Sequence, residues 1–475
     1  MSLDDTFIRY NIDTTGILHI GTHKSEEITI YQKYIGKNKI VFANSDILEN
    51  RLGNAISEYN IPFNFINLNV QGVELTVLKC MEYYLTNINY IYMNINKKNI
   101  LLNELDTYLN NFDFYRIETL WPSAENGSTF YIRKSISGRG KYVIFNPAGR
   151  LGNAIFRYMA CAIFCTKYGS TFVLQEDCPK IDEYTFYKNL DLMGNDVTYI
   201  SQRNITDLKT YCKSNPSIEG FNTLGFVKNN ISLNNLESNA YINNNNDHGI
   251  FVKNIVEIND KNYIDSLQKD LYGKHLFMNG YFQFDIYLKY KNEILEFMKK
   301  NKHEHYVTTY PYRKFLMKDI VDDMILDNTK IYDIVIHNRL GDANGCIEFI
   351  EFEYYEKLFE TINFNNSKTA IVIESPKDKR DRDYLDRCVN WFKNKNIDVS
   401  VEINDMLIDF NIMKHTKILI CSMSTFAWMA AFLSKHITTC YMPNYDFTNN
   451  RPYQNFKTPI ENTIFYNVVT KGRTC

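Results

Sequence analysis

The constraint that bears hardest on this chain is a repeated change of hydrophobic period. Short apolar runs of strand length alternate with stretches whose apolar residues return at helical spacing. From residue 16 the runs are Ile17–Ile20, Ile40–Ala43 and Phe65–Leu68, then a helical stretch over Val73–Leu85 and a strand at Ile91–Met93. Two further strand-like runs, Phe112–Ile117 and Thr129–Ile132, flank the polar turn Ser123–Gly127. The last third repeats the grammar, with strands expected near 331–336, 369–373, 397–401, 417–421 and 437–441. Such alternation predicts parallel strands joined by crossover helices, a doubly wound sheet whose ligands gather at the carboxyl ends of strands.

Between these regions a further α/β unit is expected: a strand at Tyr142–Phe145, a turn over Pro147–Gly152, a helix from about Asn153 to Tyr168, a stop at Gly169 and a return strand at Thr171–Leu174. The polar, glycine-bearing stretch Ser135–Gly140 reads as a linker. Residues 175 to 270 give no clear period, and Asn243–Asn246 reads as a solvated loop. At 475 residues the chain exceeds what one core supports, so two or three domains are expected.

Charge excludes one class of function: 53 Lys plus Arg against 55 Asp plus Glu argue against nucleic-acid binding. Any phosphate site must be local. The N-terminal Met1–Thr6 carries no signal pattern and no run reaches the roughly 18 apolar residues of a membrane span, so a soluble cytoplasmic protein is expected. The ten cysteines form no metal-type CxxC pair, and Cys161 and Cys165 sit at helical spacing where core packing is expected. The one Asp-x-Asp, Asp381 and Asp383, falls in a charged helix and is expected to face solvent, leaving no metal site.

Four segments carry candidate chemistry. His337-Asn-Arg-Leu-Gly-Asp342 follows a predicted strand; Arg339 offers a fork that holds a leaving diphosphate, Asp342 is a candidate base, and His337 can orient either group. Gly149-Arg-Leu-Gly-Asn153 turns from strand to helix, where Gly152 permits close backbone approach, Asn153 either caps the helix or meets a ligand, and Arg150 can reach an acceptor or a phosphate. In Cys421–Trp428, Ser424 and Thr425 stand at a helix start, suited to capping or to phosphate oxygens, while Phe426, Trp428 and Phe432 form the expected buried face. Gly280-Tyr-Phe-Gln-Phe-Asp285 supplies Gln283 for acceptor binding and Asp285 as a second candidate base.

In this order the four segments resemble the α1,2-fucosyltransferase family, over about residues 141 to 475. The resemblance implies a two-Rossmann glycosyltransferase-B architecture, with 141–310 as the acceptor-side lobe and 311–475 as the nucleotide-sugar lobe. It implies GDP-fucose as donor, a glycan hydroxyl as acceptor, inversion at the anomeric carbon and no metal requirement. The family places its Gly-x-Leu-Gly-Asn segment beside the reacting sugar and Gly-Tyr-Phe-Gln between the domains, and it has an acidic segment after a strand where Glu374 stands, which implies a neighbour of the nucleotide. This chain departs from the family pattern at Ala154, Leu340, Met423 and Met429, where the family carries Gln, Arg, Asn and Trp.

Residues 16 to 133 resemble FkbM-type S-adenosylmethionine-dependent methyltransferases through Leu18–Glu27, Asn69–Leu75 and the terminal hairpin. Positions where that family uses carboxylates hold Asn44, Asn69 and Asn94, and the segment from Asn44 to Asn69 is short. A degenerate Rossmann-like domain over 1–134 is therefore expected, acting as a scaffold or an acceptor-positioning module without binding S-adenosylmethionine. Two other readings stay open: an S-adenosylmethionine-dependent glycan methyltransferase, and a catalytically silent sugar-binding protein. The expected partners are a nucleotide sugar and a glycan; oligomeric state is left open.

Overall fold

A computed structural model describes residues 3–36, 39–43, 62–145, 151–201, 204–215, 217–238, 248–300, 306–309, 313–316, 320–322, 326–340, 350–445 and 460–468. The chain divides into two compact units: 1–144 with 164–258 and 262–278, and 145–163 with 259–261 and 279–475. Both are mixed α/β, as the alternating periods require.

The first unit holds β1 (Ile17–Gly21), β2 (Ile40–Ala43), β3 (Phe65–Asn69), β4 (Tyr90–Asn96), β5 (Phe114–Trp121) and β6 (Asn126–Arg133). Their order is β5-β6-β4-β3-β1-β2, with the short strand Leu236–Glu237 added beside β5. Strands β2, β1, β3 and β4 are parallel, while β6 is antiparallel to both β4 and β5, so the expected terminal hairpin is inserted into the sheet edge. The chain passes from β1 to β2 on one side and returns to β3 on the other, which makes the β1/β3 gap the switch point where such sheets bind ligands. Ile66, Leu68, Ile91 and Met93 are fully buried on one face against Val77, Leu78 and Leu105, each contributing about 1.5–3 kcal/mol.

The stretch that gave no period in sequence forms a five-stranded antiparallel sheet in this same unit, with strands Tyr184–Lys188, Asp196–Tyr199, Gly220–Asn222, Phe226–Lys228 and Gly249–Lys253. The Asn243–Asn246 run lies outside the described residues. The predicted strand–helix–strand over 142–174 is present as Tyr142–Phe145, helix α2 (Leu151–Tyr168) and Thr171–Leu174, after helix α1 (Ser25–Tyr34) earlier in the chain. Gly169 ends α2 with φ +66, a left-handed cap that glycine adopts without strain. Cys161 and Cys165 are buried as free thiols along α2.

The second unit's sheet is parallel throughout: β7 (Ile334–Asn338), β8 (Thr369–Ile373), β9 (Val399–Glu402), β10 (Ile418–Ile420), β11 (Thr439–Tyr445) and β12 (Asn462–Val468). Their order, β9-β8-β7-β10-β11-β12, is the doubly wound arrangement, and its direction reverses between β7 and β10. The first strand starts three residues later than expected and takes in His337 and Asn338. Helix α3 (Lys379–Asn394) covers one face through Tyr384, Cys388, Trp391 and Phe392, which recur at helical spacing. Its start corrects the expectation for Asp381, which is buried, not solvent-facing. Asp378 caps the helix by accepting from the Asp381 N–H at 2.9 Å, and Asp381 accepts from the Lys377 N–H at 3.0 Å. The acidic pair is thus half capping device; only Asp383 is exposed. Losing the Asp378 side chain should cost this helix about 1 kcal/mol.

Candidate active site at a sheet switch point

Beyond Ile336 and Ile420 the neighbouring strands β7 and β10 have no further register pairs, and side chains take over the join. His337 Nδ1 lies 2.7 Å from Ser422 Oγ, across the gap where the winding direction reverses. Two residues later, Arg339 donates from Nη1 to the Met423 carbonyl at 3.1 Å. His337 is buried, and desolvation, reinforced by the Arg339 charge, drives its pKa down to about 3. At neutral pH its ring is therefore uncharged, suited to orienting Ser422 and poorly suited to taking a proton. Arg339 is half-buried and keeps its charge at any physiological pH.

Ser424 caps helix α5 (Thr425–Leu433), accepting from the Phe426 N–H at 3.2 Å. The cap explains why the helix begins there, and it leaves the Thr425 hydroxyl to point elsewhere: it donates to Asn153 Oδ1 at 3.0 Å. Asn153 is the third residue of α2. The expectation that it caps that helix is corrected, because its oxygen serves Thr425 and also accepts from Gln283 Nε2 at 2.7 Å. Gly152 is required here by close approach, since a Cβ would stand 2.6 Å from Thr425 Oγ1 and from the Phe426 backbone nitrogen. Phe156, one turn along α2, stacks on Trp428 at 4.9 Å. Trp428 and Phe432 are buried as expected, whereas Phe426 is half-buried, 5.9 Å from the His337 ring.

All four segments thus meet through side chains: the helix-start segment touches those of His337 and Asn153, and Gln283 joins them through Asn153. Glu374 is exposed and follows Ile373, the register partner of Asn338, so it and Arg339 leave adjacent strand ends. Arg150 and Asp342 lie outside the described residues, as does the side chain of Asp285. The departures from the family pattern have a structural account: Leu340, Ala154 and Met429 are core residues. Met423 packs partly against the same core as Leu340 and supplies the carbonyl that Arg339 holds.

Several members of the constellation carried no local signal. Asp260 accepts from the N–H groups of Tyr281 at 3.0 Å and Phe282 at 2.6 Å, clamping the Gly-Tyr-Phe-Gln turn. Elsewhere in this unit Asp409, on helix α4 (Met406–Lys414), has its pKa pushed up to about 6 by burial and accepts from Asn404 at 2.9 Å. Ser422 lies inside Cys421–Trp428, where nothing in the local sequence sets it apart from Ser424. Among the described residues no cluster of three or more His, Cys, Asp or Glu side chains forms a metal centre, and no helix is long and apolar enough to cross a membrane.

At the first unit's switch point the strand ends are stitched together. The Thr22 N–H donates to the Asn69 carbonyl at 3.2 Å, and Asn69 Nδ2 donates back to the Thr22 carbonyl at 2.7 Å. Gly21 has φ +100, and a Cβ there would lie 2.2 Å from the Asn69 carbonyl oxygen. Glu27 of α1 brings its carboxylate within 3.5 Å of the side-chain amides of both Asn67 and Asn94. The carboxylate-to-amide positions Asn69 and Asn94 are therefore engaged in contacts within this unit. Asn44 lies outside the described residues.

No family model matches the chain, and no curated protein matches it. Among solved structures, an arginine-to-lysine mutant of Arabidopsis thaliana FUT1 in complex with GDP aligns at 12% identity over 62% of this chain and 68% of that one, with a TM-score of 0.30. A UDP-GlcNAc 2-epimerase from Methanocaldococcus jannaschii aligns at 11% identity over 90% of this chain and 82% of that one, TM-score 0.21. A putative tRNA methyltransferase from Streptococcus pneumoniae aligns at 13% identity over 28% of this chain and 71% of that one, TM-score 0.18. Likenesses this faint assign no residue a role.

Proposed function

We propose that the chain is a glycosyltransferase which moves fucose from GDP-fucose to a glycan hydroxyl with inversion, an α1,2-type transfer by its resemblance. The observation that carries this reading is the His337–Ser422 join with Arg339 fixed beside it, at the carboxyl ends of β7 and β10. Doubly wound sheets bind nucleotides at that location. A guanidinium fixed at a strand end carries a permanent positive charge toward a diphosphate and needs no proton transfer to neutralise the departing charge. The Ser424 hydroxyl proton and the Thr425 N–H at the start of α5 lie beside it and suit phosphate oxygens, while the Thr425 hydroxyl holds Asn153. Asp342 is the proposed base, with Asp285 the second candidate, Arg150 on the acceptor side and Glu374 near the nucleotide. No metal is invoked, because the arginine and the helix start supply the positive field.

In this reading residues 1–134 act as a scaffold, 141–310 as the acceptor-side lobe and 311–475 as the nucleotide-sugar lobe. The stitched β1/β3 gap favours the scaffold over a working methyltransferase. Radiolabelled transfer from GDP-fucose to a glycan array tests the proposal. Arg339→Ala should abolish transfer with the melting temperature held; a folded Arg339→Ala protein that still transfers would refute it.

A further inference from the structure

The Gly-Tyr-Phe-Gln turn carries more restraint than a connecting segment needs. Phe282 is fully buried and sits at φ +53, a left-handed backbone that a bulky residue adopts only under constraint. The constraint is visible: both Asp260 oxygens accept from the turn's N–H groups, and the Tyr287 hydroxyl donates to the Phe282 carbonyl at 2.6 Å. A Cβ on Gly280 would stand 3.0 Å from the Asp260 carboxylate, so the clamp also needs a small residue there. Strain held this firmly fixes the direction of the next side chain, Gln283.

Gln283 is 8% exposed, and its Oε1 has no hydrogen-bond partner among the described residues. In the structure Asn153 Oδ1 accepts both the Thr425 hydroxyl at 3.0 Å and the Gln283 amide nitrogen at 2.7 Å. The carbonyl oxygen is left over as an acceptor without a donor, a state that costs about 1–3 kcal/mol unless a ligand supplies an N–H or O–H. Along the chain this latch is tied to the proposed diphosphate holder: Thr425 lies two residues beyond Met423, whose carbonyl Arg339 grips.

We infer that Gln283 Oε1 accepts a hydrogen bond from a hydroxyl of the sugar joined to the diphosphate, making Gln283 a specificity residue for the donor sugar rather than for the nucleotide. The inference rests on the proposed donor site. Asn153 and Thr425 are then positioning residues, which hold the amide with its oxygen free.

The test compares thermal shift and calorimetric affinity for GDP and for GDP-fucose on the full chain. Gln283→Met should keep the GDP response and lose the extra affinity that the sugar adds, roughly five- to tenfold for one neutral hydrogen bond. Gln283→Glu adds a signature that a packing role would not produce. Protonated, its O–H can donate to Asn153 Oδ1 while its carbonyl accepts from the sugar; ionised, it faces the Asn153 oxygen with like polarity and the latch opens. The sugar increment of Gln283→Glu should therefore be present near pH 5.5 and lost near pH 8, while the wild-type increment holds across that range. This variant also carries the test should Gln283→Met not fold. An increment that survives Gln283→Met, or that is independent of pH in Gln283→Glu, overturns the inference while GDP binding persists. No response to GDP in the wild type would instead overturn the donor-site reading.

Discussion

The two units each wind a parallel sheet in both directions from a central strand, yet they finish the reversal point in opposite ways. In the first, backbone closes the gap: Thr22 and Asn69 exchange hydrogen bonds across it, and Gly21 leaves no room for even a methyl group against Asn69. In the second, side chains bridge the gap, with a neutral imidazole, a hydroxyl and a guanidinium anchored by one nitrogen. The same topology therefore yields a sealed seam and a chemically equipped one. Topology marks where a ligand can bind, and the residues that terminate the strands decide whether one does.

The largest effect expected from breaking this contrast comes from a methyl group. Gly152→Ala and Gly21→Ala each force a Cβ into backbone, at 2.6 Å from Phe426 N in one and 2.2 Å from the Asn69 oxygen in the other. Overpacking of this kind costs about 1–3 kcal/mol. Chemical denaturation should register a loss in both variants, but titration with GDP should register it only in Gly152→Ala.

Next in size is the pH response of His337. Its folded pKa, near 3, lies below the ordinary 6.5, so the unfolded chain binds more protons between those values and stability falls as pH drops through that window. Asp409 runs the other way, because its raised folded pKa binds a proton that the unfolded chain releases between about 4 and 6. Urea denaturation from pH 7 to 5 should show His337→Gln losing less stability than wild type, by about 1 kcal/mol per pH unit below 6.5. Identical slopes would mean that the imidazole is charged in the folded protein.

A smaller effect sharpens the sealed side. Asn69→Asp replaces the donor to Thr22 with a carboxylate, which should cost about 1 kcal/mol and still give no S-adenosylmethionine binding by calorimetry. Binding gained by this one change would show that the seam is chemical rather than steric.

Much of the fold was legible because its strands are buried on both faces and read as apolar runs. β2 and β8 occupy the predicted residues, and Gly169 stops α2 as expected. The five-stranded antiparallel sheet was not legible, since its strands are three to five residues long and half of their side chains reach solvent. In the site, Arg339, Ser424 and Gly152 announced themselves by standing where strand gives way to turn or helix. Partnerships did not: Asn153 meets Gln283 across 130 residues and Thr425 across 272, distances over which local spacing carries no information. Asn153 was thus expected as a cap or a ligand contact and not as a partner of Gln283, and Asp260, whose sequence neighbours are polar loop residues, was not singled out at all.

The most direct test of the contrast is calorimetric titration of the full-length chain, wild type and Arg339→Ala, with GDP and separately with S-adenosylmethionine. The account predicts saturable GDP binding to wild type, at least tenfold weaker binding to Arg339→Ala at an unchanged melting temperature, and no heat from S-adenosylmethionine with either. Equal GDP affinity in the two proteins, or S-adenosylmethionine binding in place of GDP, would contradict it.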